Sequence, residues 1–382
     1  MNAPSAAPSP AAPPFRADIV GSLLRPRALI EAREAFDGPE FDPIRDKPKP
    51  GALVALEDRL VLEAIALQER VGLAVATDGD VRRRSWFADF MVRLGGIHVT
   101  WSTEGAVFRS AEGTIRPTPR VNVDGKVRWP EGGIAVEDFR FLRQRTKLTP
   151  KVTIPTPLQA YFYGGAIDRA AYPDEDEYWH DMIVAYGREL AALGAAGCTY
   201  VQIDECTLIK LCDPAFLAAM RARGQDPAAV QRRLVAILKR LTDRKPAGMT
   251  LAIHICRGNS RGHWTTEGDY EPIAEAVFAE LGFDACFLEY DSPRAGDFRP
   301  LRHVPPGKTV ILGLVTTKSP VLEARDALKR RIDEAARFVP LERLCLSPQC
   351  GFASSKYGNP LTAADQEAKL RLVVETAADI WR

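Results

Sequence analysis

Charge of one sign is missing from this sequence. Its 51 lysines and arginines stand against 50 aspartates and glutamates, interspersed, for a formal net charge of +1. A dedicated nucleic-acid or membrane-surface protein carries a strongly basic face, so neither nucleic acid nor membrane is an expected partner. No apolar run reaches the roughly 20 residues that cross a bilayer. Cysteine is scarce and irregularly spaced: seven in 382 residues, an odd count. That pattern does not make a disulfide scaffold, and it fits a reducing cytoplasm where thiols stay free for metal or catalysis. Residues 1–14 are rich in Ala, Pro and Ser without a charged start or apolar core. They are expected to be a disordered leader rather than a secretory signal. Also absent is a glycine-rich turn after an opening strand, the mark of a dinucleotide-binding sheet.

What the chain does have is alternation. Short β-branched or apolar runs fall at 18–20, 74–77, 151–154, 199–203, 250–255, 285–288, 309–314 and 343–347. Amphipathic helical patterns lie between most of them, among them 53–71, 175–196, 227–242, 271–281 and 321–338. Strand and helix repeated about eight times predict an α/β fold, a TIM (β/α)8 barrel. A doubly wound open sheet is the competitor. One stretch, 93–147, breaks the alternation with several short strand-like runs and a Val123-Asp124-Gly125-Lys126 turn. It predicts a β-hairpin insertion after the second strand, placed over the barrel mouth. Residues 15–382 thus read as one barrel domain.

Polar residues recur at or just past the strand ends: Ser22, Asp78, Asp80, Asp204, Glu205, His254, Cys256, Glu289, Lys318 and Cys350. In a barrel those ends share one face, and that face carries the chemistry. His254 and Cys256, two apart on a strand, point the same way. An imidazole and a thiolate there are two ligands for zinc, and Glu289 and Cys350 complete a tetrahedral set. Their softness disfavours Mg²⁺ and Ca²⁺. A lone His-x-Cys is more often a satisfied core histidine beside a small buried hydrophobe. Four such residues at one mouth reverse that preference. The cysteines 198, 206, 212, 286 and 345 lie mostly in apolar runs and read as core.

In this order, Ile19-Val20-Gly21-Ser22, Asp78-Gly79-Asp80, Val201-Gln202-Ile203-Asp204-Glu205, His254-Ile255-Cys256, the Glu289 strand and Ser347-Pro348-Gln349-Cys350-Gly351 carry a resemblance. The chain resembles the zinc-containing catalytic half of cobalamin-independent methionine synthase, and more closely its shorter single-domain relatives. The resemblance spans about residues 18–382 and implies a TIM barrel with zinc on His254, Cys256, Glu289 and Cys350. It implies that Ser22, Asp80 and Asp204 hold the amino-acid end of homocysteine, with Asp80 standing where the family has Glu. It implies 5-methyltetrahydrofolate or another compound as methyl donor. The family's N-terminal half is absent here, and its folate-holding residues have no counterpart in Cys206-Thr207-Leu208-Ile209-Lys210. Its histidine proton donor is replaced in Thr316-Thr317-Lys318-Ser319-Pro320, where Lys318 falls near that place and reads as a catalytic group.

Other residues have two readings. The run Arg82, Arg83, Arg84 with Trp86 and Phe90 suits an anionic or planar substrate, or is a charged first turn with Trp86 packed inward. Asp78 and Asp80 alternatively make an ordinary turn, and Asp204 and Glu205 a helix cap. The leading expectation is a cytoplasmic zinc-dependent S-methyltransferase. One alternative is zinc-dependent alkyl transfer to a different thiol or from a corrinoid partner protein. Another is a non-catalytic zinc-stabilised barrel that binds a thiol or amino acid.

Overall fold

In the computed structural model, residues 13–38, 46–102, 118–162 and 164–381 are described. Six strands form one parallel sheet in the spatial order Leu344–Pro348, Thr309–Val315, Ala285–Glu289, Thr250–Ile255, Tyr200–Glu205 and Val152–Pro155. At one edge Val75–Ala76 pairs in parallel with Thr149–Pro150, which runs on into Val152–Pro155. At the other edge Ala17 makes a parallel bridge to Leu346. The two edges meet where Thr77 Oγ1 donates to the Gly21 carbonyl at 2.7 Å and Leu23 N–H to the Gly79 carbonyl at 3.0 Å. The strands therefore follow chain order around a closed ring, and the expected α/β barrel is what forms.

Alternation along each strand divides the core. Leu251, Ile253 and Ile255 pack outward against the helices, while Ala252, Phe287, Ile311 and Cys345 share the inner cluster. The interior is not wholly apolar. Lys151 meets Asp18 at 3.2 Å and lies over the Phe287 ring at 4.0 Å, and Tyr200 OH donates to Asp18 at 2.9 Å. A buried charge is tolerated because it is paired and hydrogen-bonded. Helix starts follow local chemistry: Asp226 accepts Ala228 N–H ahead of Pro227–Thr242, and Thr362 and Asp365 cap Ala363–Ile380 reciprocally. Among the described residues no helix is long and apolar enough to cross a membrane.

The insertion differs in detail from expectation. Gly95–Ser102 pairs antiparallel with Thr118–Arg128, and Gly164–Ile167 adds a parallel third strand. The predicted turn at 123–126 is instead part of the continuous strand Thr118–Arg128. Ile97 pairs with Val123 and Gly95 with Arg128, so residues 124–127 bulge opposite Gly96. Gly96 has φ 78°, and a Cβ there would lie 2.5 Å from the Lys126 carbonyl oxygen. The neighbouring backbone, not the local Asp-Gly signal, decides the geometry. The runs around 106–109 and 114–117, and most of the expected leader, lie outside the described residues. The helix expected over 321–338 is Arg325–Ala335. Glu323 is drawn away to accept Thr316 N–H at 2.8 Å and to pair with Lys369 at 3.2 Å, which holds 321–324 as loop. The pattern at 271–281 also divides, with helix Glu271–Ala274 running into a π-helical turn, Glu275–Glu280.

The base of the insertion is fixed to the barrel's flank through helix Glu175–Ala195. Its Glu189 carboxylate is fully buried and accepts Trp129 Nε1–H, Ile134 N–H and Ala135 N–H at 2.7, 2.8 and 2.7 Å. Glu189→Ala strands two buried main-chain donors and the half-buried Trp129 Nε1–H, each buried one costing about 1–3 kcal/mol. The expected loss is about 3 kcal/mol or more in urea or thermal unfolding, and an unchanged midpoint would show that water satisfies all three donors instead.

Candidate metal centre

The strand Thr250–Ile255 pairs along its whole length with Tyr200–Glu205 and over 252–255 with Ala285–Glu289, and Cys256 N–H continues the ladder to the Glu205 carbonyl at 2.8 Å. With Ile253 and Ile255 committed outward, His254 and Cys256 face the interior. Gly258, at φ 92°, then turns the chain, and a Cβ there would lie 2.7 Å from Thr265 Oγ1. Cys350 arrives just past Leu344–Pro348. The ligand atoms of His254, Cys256 and Cys350 all lie within 4.8 Å of one another, and the two sulfurs are 3.5 Å apart.

Glu289, beside Cys256 on the next strand, accepts Arg257 N–H on Oε1 at 2.6 Å. It is fully buried, and Oε2 has no partner among the described residues. Its carboxylate is not in the tight group of three, so the structure joins three of the four predicted ligands directly and sets the fourth alongside. Neither ring nitrogen of His254 makes a hydrogen bond of ordinary geometry, although the residue is only 2 % exposed. Buried polar atoms are rarely left so. Free imidazole nitrogens, a partnerless carboxylate oxygen and two adjoining sulfurs are what a zinc ion requires of its surroundings. The residues present fit the group. Hydrogen bonding from Cys256 holds the Cys350 thiol well below the usual thiol range against the opposing effect of burial, with the neighbouring imidazole of His254 assisting. The Cys256 thiol is pushed well above that range by Cys350 and by burial.

The loops around the centre are tied to one another. Asn259, buried, donates to the Gly351 carbonyl at 2.8 Å. Lys318, half-buried, donates to the Gly258 carbonyl at 3.0 Å and to Asn259 Oδ1 at 3.2 Å. Thr317 reaches the same Gly351 carbonyl at 3.1 Å. Lys318 is thus a fixed cation whose charge acts on Cys256, Glu289 and Cys350.

The residues predicted for an acceptor also gather here. Ser22 Oγ accepts Ala353 N–H at 3.2 Å, and a Cβ on Gly351 would lie 2.0 Å from it. Only glycine permits that approach. Asp204 accepts Gln202 Nε2–H at 2.6 Å, and its carboxyl is pushed up to about 7 by burial, moderated by His254 and reinforced by Asp80. Asp80, at φ 55°, meets Arg83 at 3.2 Å and Thr153 Oγ1 at 3.3 Å. It is therefore not a lone acid. Trp86 is half-buried and packs edge-on against Phe87, and its main-chain N–H donates to the Ser354 carbonyl at 3.1 Å. Asp78 accepts Asp80 N–H at 2.9 Å, an ordinary turn, and Glu205 accepts Leu208 N–H at 2.7 Å, an ordinary cap.

Two arginines frame the centre, Arg25 at the mouth and Arg257 behind it, neither assigned a role of its own from the sequence. Arg25 joins the Asp80 carbonyl, at 2.8 Å, to the Ala353 carbonyl, at 2.7 Å. Arg257 is buried behind the ligand strand. The signal for Arg25 was its place three residues after Ser22. Arg257 stood beside Cys256, but an arginine ordinarily reads as exposed.

Known proteins agree with this geometry. The family described as cobalamin-independent synthase, catalytic domain, matches residues 56–378. YxjH of Bacillus subtilis strain 168, named there as uncharacterized, is 39 % identical over 373 residues, covering 97 % of this chain and 95 % of that protein. A crystal structure from Listeria monocytogenes, provisionally a vitamin-B12-independent methionine synthase, is 30 % identical with a TM-score of 0.73, covering 97 % of this chain and 99 % of its own. A B12-independent methionine synthase from Shewanella sp. W3-18-1, solved with selenomethionine, shares the fold at 18 % identity and TM-score 0.67, with 96 % of this chain and 97 % of that one aligned. A match over most of the barrel, reaching past every residue gathered at its mouth except those on the first strand, means that the chain belongs to the cobalamin-independent synthase catalytic-domain family.

Proposed function

We propose that the protein is a zinc-dependent S-methyltransferase that methylates a thiol, with homocysteine as acceptor and methionine as product. The observation that carries this reading is the buried His254 imidazole, both nitrogens unspent, beside two cysteine sulfurs 3.5 Å apart at the barrel mouth. Zinc held by His254, Cys256, Cys350 and Glu289 would supply a nucleophilic thiolate at neutral pH. Glu289, a hard oxygen donor among softer ones and already engaged by the Arg257 main-chain N–H, would be the most weakly held member of the set. Ser22 and the nearby main-chain N–H groups receive the acceptor's carboxylate, and Asp204 its ammonium, with Asp80 next to it. The acceptor sulfur forms a bond to the donor's methyl carbon as the bond from that carbon to the donor breaks. The leaving group takes the electron pair, and the Lys318 ammonium, fixed between Gly258 and Asn259, neutralises it. Trp86 lines the same mouth as a platform for the donor.

The donor is 5-methyltetrahydrofolate or another methyl compound. A second reading, with the methyl group delivered by a corrinoid partner protein or another alkyl donor, is favoured by residues 206–210, which are all buried and offer no surface for folate. Assays with methyl-folate and with methylcobalamin, each with homocysteine and purified protein, separate the two.

Protein purified without added metal is expected to hold about one zinc per chain. X-ray absorption at the zinc edge should show a sulfur gained and an oxygen lost when homocysteine is added. A zinc environment that ignores homocysteine would point to another thiol as acceptor or to a structural site. Cys256→Ser and Cys350→Ser should lose metal and methyl transfer together, by metal analysis and product assay. Transfer surviving in a zinc-free variant would sink the proposal.

Asp204 gives a pH dependence. Its carboxyl, ordinarily ionised above about pH 4, is pushed up to about 7 by burial, so it is neutral below that pH and cannot hold an ammonium. Calorimetric titration should show acceptor affinity falling as pH drops from 8 to 6. Asp204→Asn should bind about 10–100-fold more weakly at pH 8, the worth of one charge-assisted hydrogen bond. It should also lose that part of the pH dependence, and an unaltered pH profile in the variant would remove Asp204 from the acceptor site.

A further inference from the structure

Arg257 is fully buried, and none of Nε, Nη1 and Nη2 has a hydrogen-bond partner among the described residues. It follows Cys256, so strand alternation sends its side chain away from the ligands, into the layer between barrel and helices. There the guanidinium lies over the Tyr270 ring at 4.4 Å, and no carboxylate among the described residues pairs with it. A buried charge without an ion pair costs several kcal/mol, on the order of twice what one aromatic face returns. Burial opposes its charge, yet Tyr270 and Glu289 keep it firmly protonated.

The negative charge that offsets it lies across the strand. Arg257 N–H already holds Glu289 Oε1 at 2.6 Å. Two thiolates and a carboxylate exceed the charge of a divalent cation by one, and a third thiolate would exceed it by two. Lys318 faces that excess from the mouth, tied to Gly258 and Asn259. Arg257 faces it from behind, where water has no entry.

We infer that Arg257 is a positioning residue for thiol entry: its N–H orients Glu289, and its guanidinium is the buried counter-charge of the sulfur-rich state. This rests on the reading of His254, Cys256, Glu289 and Cys350 as the metal ligands.

The test replaces zinc by cobalt(II) and follows the visible spectrum while homocysteine is titrated into wild type, Arg257→Met and Arg257→Lys. All three should hold about one cobalt per chain with unchanged far-ultraviolet circular dichroism. Arg257→Met should need about 10–100-fold more homocysteine to reach half-saturation, the usual scale for a residue supporting a metal ligand. Arg257→Lys, which keeps the charge, should stay within about threefold of wild type. Arg257→Gln serves as the neutral variant if the methionine does not fold. Equal homocysteine affinity in the neutral variants overturns the inference, as does cobalt loss that lysine fails to rescue. A wild-type spectrum indifferent to homocysteine overturns the underlying thiol-activating role before any variant is compared.

Discussion

Parallel register between Tyr200–Glu205, Thr250–Ile255 and Ala285–Glu289 is the constraint on which the mouth depends. It pairs Asp204 with His254 and carries Cys256 to the Glu205 carbonyl. A slip of one residue would turn His254 and Cys256 into the helix layer and bring Leu251, Ile253 and Ile255 inward. Those three are fully buried, and each such side chain contributes about 1.5–3 kcal/mol by leaving water. Apolar burial on the outer face therefore fixes the ligands on the inner one before any metal is present. The ligands need not stabilise the strand that presents them.

Charge around the centre is handled in two ways. Acids outside the ligand set are held locally: Glu205 Oε1 caps a turn, Asp78 closes one, and Asp80 is clamped by Arg83 and Thr153. Groups inside it are left incomplete. The ring nitrogens of His254 and Oε2 of Glu289 are buried without partners, and Asp204 is held near neutrality by its surroundings. Buried ring nitrogens and a carboxylate oxygen without ordinary partners, beside two sulfurs 3.5 Å apart, mark a place where something else can bind.

Most of the barrel was legible because its strands are short apolar runs of the right length, and 250–255 reads the same in sequence and structure. The site was legible for a related reason: polar residues terminate those runs, and closure of the ring brings the ends together. What could not be read was whatever depended on a neighbour. Asp-Gly at 124–125 is a strong turn signal, but the adjoining strand absorbs it as a bulge. Val321 and Leu322 suit a helix pattern, yet both are exposed because Glu323 is pulled into the loop. Asp80 was read as holding the acceptor's amino-acid end or as part of an ordinary turn, with no arginine partner foreseen. Its positive φ, which is not a property of the residue type, turns it toward Arg83. The burial of Arg257 follows from the strand's outward face, where the sequence alone suggests a solvated charge.

Closure of the ring by Ala17 on Leu346 has a consequence for biosynthesis. The first and last strands are separated by nearly the whole chain, so the growing polypeptide can assemble a sheet from its middle while both edges stay open. Open edges invite pairing with other chains, and such long-range contacts form slowly. Cys350 emerges 94 residues after Cys256. Until it does, the earlier thiol and imidazole have only the Glu289 carboxylate beside them and lack the second sulfur. On the proposed reading, the full ligand set would exist only after nearly the whole chain has been made.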